Sequence, residues 1–458
     1  MCSRTWRAAT SRSPPTRCER SSRCPARRRV PALILAPFRV KSFRFQWPAD
    51  LLASLAFEME TVILGWYVMV QTGSVLLLTT FGSLLLLGTL ASPMFGVLGD
   101  RLGFRLMLST MRAAYAALAA LVLLLTLTGA LAPAWVLVVA ALAGLVRPND
   151  QVMRNALIGE TIPPPHLMSA VGFSRATMDS ARVFGALGGA ALSTVLGLGP
   201  TYALVTTLYV ASLALTFGVA RRPVTPDPVE TWRGVAPIVA VGSPSRGRDL
   251  LDGLLYVLRS PQLHAMMWLA FLVNLTAYPV SSGLLPYVAR TIYLVDATGL
   301  GWLAASFALG SLVGSIITVL TGGPRRPERS MLIYTALWYL VLLAFGNLKS
   351  MNTGLPALLL AGFVQSVAMI AMTANLLAAS DERFRGRVMG VRTLAIYGMP
   401  LGLMSAGALI ERIGYVLTVS GFSAVGLLFT LFIGVKWRAS LWPPRRLPSG
   451  ATPGTVRP

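Results

Sequence analysis

Twelve stretches of the chain are mostly apolar over about 20 residues each, long enough for a helix to cross a hydrocarbon layer of about 30 Å. They lie near residues 48–70, 75–98, 105–128, 133–155, 167–193, 199–220, 263–289, 299–321, 329–349, 354–379, 386–410 and 415–437. Lipid offers no partner to a backbone N–H or C=O, so a crossing segment must be a helix or part of a closed barrel. Continuous apolar runs of this length exclude the alternation that a barrel needs. A water-soluble fold fails on composition: 55% of the residues are apolar and 12% charged, with a mean hydropathy of +0.66, where soluble domains carry roughly 25% charged residues. The expectation is an all-α membrane protein of twelve transmembrane helices.

Charge placement orients the bundle. Of the residues that make the net charge +23, twelve Lys or Arg precede residue 47. Others occupy the connection after the second stretch (Arg101, Arg105), the long central connection (Arg221, Arg222, Arg233, Arg246, Arg248, Arg259) and Arg325, Arg326 and Arg329. The opposite set of connections holds Arg290, Lys349 and Arg412. By the positive-inside rule this predicts a multi-pass protein of the cell's inner (cytoplasmic) membrane with both termini cytoplasmic. Membrane topology accounts for the basic balance, so nucleic acid is set aside as a partner. The cysteines, Cys2, Cys18 and Cys24, all precede the first apolar stretch, so no disulfide framework supports the fold. His166 and His264 both fall near membrane borders, which leaves no zinc site.

Along the chain, residues 1–46 read as a basic disordered tail rich in Arg, Ser and Pro. Residues 47–221 form a first six-helix half and 261–437 a second, and 438–458 is a basic, Pro-rich cytoplasmic tail. The linker 222–260 begins irregularly through Pro223, Pro226, Pro228, Pro237 and Pro244, and ends in an amphipathic helix over Asp249 to Leu258. Faint internal repetition supports the two halves: Gly-rich turns at Gly96 to Arg105 and Gly322 to Arg329 are about 226 residues apart, and the segments at Met168 and Arg387 about 220.

The run Gly96-Val97-Leu98-Gly99-Asp100-Arg101-Leu102-Gly103-Phe104-Arg105 closely resembles the cytoplasmic loop between helices two and three of the major facilitator superfamily. Its glycines permit a tight turn, and Asp100 is placed to face the N-terminus of a helix from the other half, favourable by roughly 0.3–1 kcal/mol. The resemblance makes that helix the eleventh, beginning near Gly386 and Arg387, and implies a latch that must break when the protein opens inward. Thr61 to Trp66, Ser174 to Gly189, Gly253 to Pro261 and Gly386 to Gly390 resemble the branch of enterobactin-type exporters, the transmembrane secretion effectors. This likeness covers about residues 43–437. It departs where Ala186 replaces the usual Pro after Gly185, which puts an exporter-type bend of helix five in question, and where the second-half turn lacks the Asp. For residues 1–46, an upstream extension from a misassigned start, with Val30 or Val40 as the first residue, is preferred over a lipid-binding tail or an organellar presequence, because the likeness begins only near Phe43.

Charges inside the membrane cost at least about 2.5 kcal/mol each and are functional candidates by default. Helix one carries Glu58 and Glu60, which do not share a face, so at most one looks into a central cavity. Helix five carries Arg175, Asp179 and Arg182 on one stripe. Arg112 in helix three, and Arg147 with Asp150 in helix four, complete the set. The working scheme has a helix-one glutamate and Asp179 exchanging protons or partners with Arg182 and Arg112, since a poorly solvated carboxylate keeps its charge only beside a guanidinium. The alternative is a set of permanent salt bridges locking the first half.

The second half is expected to be lined by Trp268, Phe271, Asn274, Tyr278, Phe307, Asn347, Gln365 and Asn375, which suits a substrate with apolar area. Pro279 and Pro400 read either as gating kinks or as simple bends. None of the lysines, Lys41, Lys349 and Lys436, stands in a phosphate-binding Gly-Lys-Ser/Thr setting, which excludes an ATP-driven pump of that type. The expected function is therefore not enzymatic. It is secondary, proton-coupled efflux of a small lipophilic metabolite, siderophore or drug by a monomer without cofactor, whose partners are its substrate and the bilayer. The alternatives are an uptake permease of the same fold and, from another class, a membrane-embedded enzyme.

Overall fold

The computed structural model describes residues 36–91, 102–147, 150–162, 164–219, 246–321, 323–324, 326–381 and 384–438. The helices follow the apolar stretches: α1 (Lys41–Thr72), α2 (Val75–Leu84, continued by a 3-10 turn at Leu87–Ala91), α3 (Phe104–Leu127), α4 in two segments (Pro133–Val146 and Asp150–Thr161), α5 (Pro164–Val195) and α6 (Leu198–Thr216). The second half contains α7 (Pro261–Ile292), α8 (Ala297–Leu320), α9 (Pro327–Phe345), α10 (Met351–Ala379), α11 in two segments (Arg385–Leu394 and Gly398–Ile413) and α12 (Tyr415–Lys436). A separate connector helix, Arg246–Arg259, precedes α7.

Local chemistry sets several of these boundaries. Gly73 closes α1 in the left-handed region at φ 65°, its N–H bonded to the Met69 carbonyl. Ser74 then opens α2 by accepting the Leu77 N–H. The fourth apolar stretch is helical over Pro133–Val146 and Asp150–Thr161, and residues 148 and 149 between these segments lie outside the described residues. α1 begins at Lys41, inside the stretch read as tail, and Phe43 is already buried there. Ala186 lies within the unbroken α5.

Large apolar side chains remain exposed along the outer faces, among them Leu127, Phe184, Leu428, Phe429 and Phe432. Such faces need a lipid solvent. Towards the interior, both halves use the same device of close helix approach at glycine. A Cβ on Gly88 or Gly144 would land on the backbone of the other helix of the α2–α4 pair, and a Cβ on Gly310 or Gly362 would do so between α8 and α10. Gly185 and Gly189 seat α5 on α1 at Glu58 and Met59, while Gly398 and Gly402 seat α11 on the backbone of α7 at Phe271 and Leu275. The equivalent helix pairs are therefore made by the same residue type in each half, and the glycines on α5 and on α11 are each four residues apart. This is the structural counterpart of the faint sequence repeat. The halves meet through α2 with α11 and α5 with α8.

Gly362→Val would drive a branched side chain into the Phe307 carbonyl. Thermal unfolding in detergent is expected to show a loss of about 1–3 kcal/mol or more, with Gly421→Val, at a glycine with open space around it, as the unaffected control.

Candidate functional site

Each half-membrane charge has found a different partner set. In the first half, Asp50 of α1, Arg112 of α3, and Asp150 and Arg154 of α4 form a buried cluster of two acids and two bases. Arg112 donates to the Asp50 carboxylate and to the Thr216 hydroxyl. The Arg154 Nε lies 2.5 Å from Asp150 and 3.6 Å from Asp50, and its Nη1 donates to Ser54 at 2.7 Å and to the Asp50 carbonyl at 3.3 Å. Charges cancel, and the cluster ties α1, α3, α4 and α6 together, with the Nε atoms of Arg112 and Arg154 buried without a hydrogen bond.

Glu60 points into the same half and accepts the Tyr209 hydroxyl at 2.9 Å. The Arg147 guanidinium sits on the Phe57 ring and within Coulombic range of both glutamates. Asp150 pairs with Arg154.

Glu58 faces the other way. Its carboxylate is 3.7 Å from the Arg182 Nε, and Asp179 is shared between Arg175 at 3.3 Å and Arg182 at 4.0 Å. This chain is looser and wetter than the first cluster: the side chains of Arg175 and Arg182 are 65% and 38% exposed. Tyr278 of α7 lies within Coulombic range of Arg182, Arg175 and Arg392 of α11, and its hydroxyl accepts from Gln365 of α10 at 2.7 Å. Glu58, Asp179, Tyr278 and Gln365 each stand near the middle of their own helices, hence near one depth in the bilayer. α7 is itself irregular here, with π-helical turns at Val273–Ala277 and Pro279–Gly283 on either side of Tyr278, a device often found at functional sites.

Of the residues singled out in the sequence, the structure joins Glu58, Arg175, Asp179 and Arg182, and it turns Glu60 away from them. Arg112 is held by Asp50 and does not contact that group. Asp50 and Arg154 stand at the margins of their apolar stretches, where a charge reads as interfacial. Arg392 lies well inside the eleventh, and the criterion that selected Arg112 would have selected it. Of the proposed second-half lining, Tyr278 and Gln365 meet, whereas Trp268 is 52% exposed and bonded to His264, and Asn347 bonds the Leu343 carbonyl at the surface.

Of the gating residues, Gly96, Gly99, Asp100 and Arg101 lie outside the described residues, so the latch to α11 does too. Gly103 has φ 87°, as a tight glycine turn requires. Arg105 donates to the Phe217 carbonyl at 2.5 Å, tying the start of α3 to the end of α6. Gly386 lies in the first turn of α11. Arg387, next to it, meets Gly253 of the connector helix and has its guanidinium 5.3 Å from the Phe384 ring. The connector is docked further by Tyr256, stacked on Phe384 at 4.4 Å and bonded to Asp381 at 3.1 Å. At the opposite end of the bundle, Glu411 of α11 accepts from the Ser74 hydroxyl at 3.2 Å and the Leu76 N–H at 3.4 Å at the start of α2. Thr298 of α8 donates to Thr194 of α5 at 3.3 Å beside a cavity of about 300 Å³ lined by Trp66, Tyr67, Ser193 and Asp296.

Two repeated helical halves with lipid-facing exteriors and a charged seam between them define a multi-pass membrane transporter. The Major Facilitator Superfamily sequence model matches residues 47–402, and the chain belongs to that family. It is 28% identical to the enterobactin exporter of Citrobacter koseri over 44% of this chain and 49% of the relative, and 24% identical to that of Shigella flexneri over 61% of each. The matched region thus spans about half to three-fifths of these relatives. Among solved structures, a POT family transporter aligns with a TM-score of 0.67 at 12% identity, covering 87% of this chain and 96% of the other. A nucleoside transporter aligns at 0.64 and 13%, covering 86% and 99%, and the human organic anion transporter at 0.60 and 15%, covering 86% and 99%. These likenesses concern the fold alone.

Removing one member of the buried cluster strands its partner. Arg112→Leu is expected to cost about 3–5 kcal/mol in thermal unfolding, and Asp50→Asn combined with Arg112→Gln to recover more than half of that loss.

Proposed function

We propose that the chain is a proton-coupled secondary transporter that exports a small lipophilic metabolite, siderophore or drug by alternating access. The observation that carries this reading is the contrast between the two charge sets. The Asp50–Arg112–Arg154–Asp150 cluster is sealed within one half. The Glu58–Arg182–Asp179–Arg175 chain has pairs at 3.3–4.0 Å and partly exposed guanidiniums, so its members can change partners as α1 and α5 move.

In this scheme Arg182 bridges Glu58 and Asp179. Drawing Arg182 away, towards an incoming substrate or through a shift of α5, leaves Glu58 without its cation, and the transported proton is the counter-charge that takes its place. Glu60, tied to Tyr209, takes no part in the exchange. The relatives named as enterobactin exporters support the outward direction. In the same reading the protein works as a monomer in the inner membrane with both termini in the cytoplasm, is powered by the ion gradient without a cofactor, and is held shut at its outer end by Glu411 and the Thr194–Thr298 contact.

The test is flux in inverted membrane vesicles with an imposed pH gradient, with enterobactin as the first compound offered. Glu58→Gln is expected to reduce gradient-driven flux to background while thermal stability stays within about 1 kcal/mol. Glu60→Gln should retain flux. Loss of folded protein with Glu58→Gln, or unchanged gradient-driven flux, would show Glu58 to be a structural lock.

A further inference from the structure

The cavity of about 300 Å³ beside the Thr194–Thr298 contact takes no part in the charged seam. Its lining includes Trp66 and Tyr67 of α1, Ser193 and Thr194 of α5, Leu198 of α6, and Asp296 at the start of α8. Three of these helices belong to the first half and one to the second, so the cavity lies between the halves, at the end away from the connector helix. Trp66 packs against the core of the second half and Tyr67 against that of the first. The walls are mostly apolar, and the volume is at the lower end of the range that takes small organic molecules.

The polar groups on these walls are mainly acceptors. The Tyr67 hydroxyl donates to the Leu131 carbonyl at 2.8 Å, and the Ser193 and Thr194 hydroxyls both donate to the Ala190 carbonyl at 2.9 Å. Their protons are spent inside the protein, so oxygen lone pairs are what remain for a guest, with the Trp66 indole N–H as the remaining side-chain donor. Asp296 adds a charge. One of its carboxylate oxygens accepts the Gly299 N–H at 2.9 Å, which caps α8 and holds the side chain in place. The other has no hydrogen bond among the described residues, and none of their Lys, Arg or His side chains lies within ion-pair distance of Asp296. Trp66 and Tyr67 supply aromatic rings, whose faces attract a cation. A carboxylate without a counter-ion, spare acceptors and aromatic walls select against an anion and in favour of a positively charged donor.

We propose that this cavity binds a small organic cation, a primary ammonium on an aromatic or similarly apolar body, whose N–H groups are accepted by the free Asp296 oxygen and the Ser193 hydroxyl oxygen, with Trp66 and Tyr67 around the body. The site is separate from the Glu58–Arg182–Asp179 chain and does not depend on the direction or coupling of transport. Because its walls come from both halves, the ligand makes all its contacts only while the halves meet at this end, and its binding biases the protein towards that state.

The test is binding to the purified full chain in nanodiscs of zwitterionic lipid, with 2-phenylethylammonium as probe and uncharged 2-phenylethanol, of similar size, as reference. Isothermal titration and ligand-induced thermal stabilisation are read after subtracting protein-free nanodiscs. The ammonium is expected to bind roughly tenfold more tightly than the alcohol, as charge-assisted bonds require. Asp296→Asn keeps a capping residue at the start of α8 and removes the charge. It should abolish most of the preference while leaving alcohol binding and the unfolding temperature of the empty protein unchanged. Asp296→Ser, which also caps, gives the same reading should the Asn variant not fold. Trp66→Leu should weaken the ammonium more than the alcohol. Equal binding of the two probes, no ammonium binding, or a preference that survives both substitutions of Asp296 would overturn the proposal. A preference that persists in Asp296→Asn and disappears in Glu58→Gln would place the ammonium in the charged seam and overturn it as well.

Discussion

The crossing of α1 over α5 at Gly185 and Gly189 is the contact on which the rest of the seam depends. With no side chains between them, the two backbones come close enough that a Cβ on Gly185 would strike the Cβ of Glu58. That approach sets the glutamate opposite the Arg175–Asp179–Arg182 stripe at mid-membrane. A larger residue at either glycine would push the stripe away and leave Glu58 without its guanidinium, while Arg175 and Arg182 would keep Asp179 on their own helix. The same device at Gly398 and Gly402 seats α11 on α7, and Arg392 and Tyr278 are neighbours as a result. In hydrocarbon there is no hydrophobic drive to bring helices together, so small residues at the crossings set the architecture, and the charges take the positions that the crossings allow.

The two charge sets illustrate how one kind of interaction serves two ends. Arg112, Asp50, Arg154 and Asp150 are balanced, buried and linked through Thr216 and Ser54 as well. Breaking any pair would expose a charge to lipid or protein interior with no substitute, so the cluster favours a single arrangement of α1, α3, α4 and α6. Glu58 and Asp179 meet their partners at longer range and next to exposed guanidiniums. Such pairs hold little energy individually and find replacements in water or ligand. Rigid halves and a yielding seam are what rocking of one bundle against another requires.

Most of this architecture was legible in the sequence because lipid leaves so few choices. An apolar run of the right length has to be a helix, and the twelve runs fell where the helices are. What could not be read was pairing. Spacing put Arg175, Asp179 and Arg182 on one face, and that held. Nothing local to α3 says that Arg112 meets Asp50 and not Glu58, since both carboxylates lie on α1 and the choice depends on how far one helix has slid along the other. Trp268 and Asn347 were assigned to a lining because they are polar or aromatic, when amphipathic side chains at helix borders settle equally well at the lipid interface.

The contacts at the far end of the bundle bear on how the seam moves. Glu411 reaches from α11 to the first turn of α2, where unpaired N–H groups and the helix dipole favour an anion, and Thr298 bonds Thr194 between α8 and α5. The pairs α2–α11 and α5–α8 are equivalent under the repeat, so both are fastened at the same end of the molecule. Arg175 and Arg392 lie on the other side of mid-membrane, each towards the start of its helix. A lever fastened at one end is most sensitive to forces applied away from the fastening.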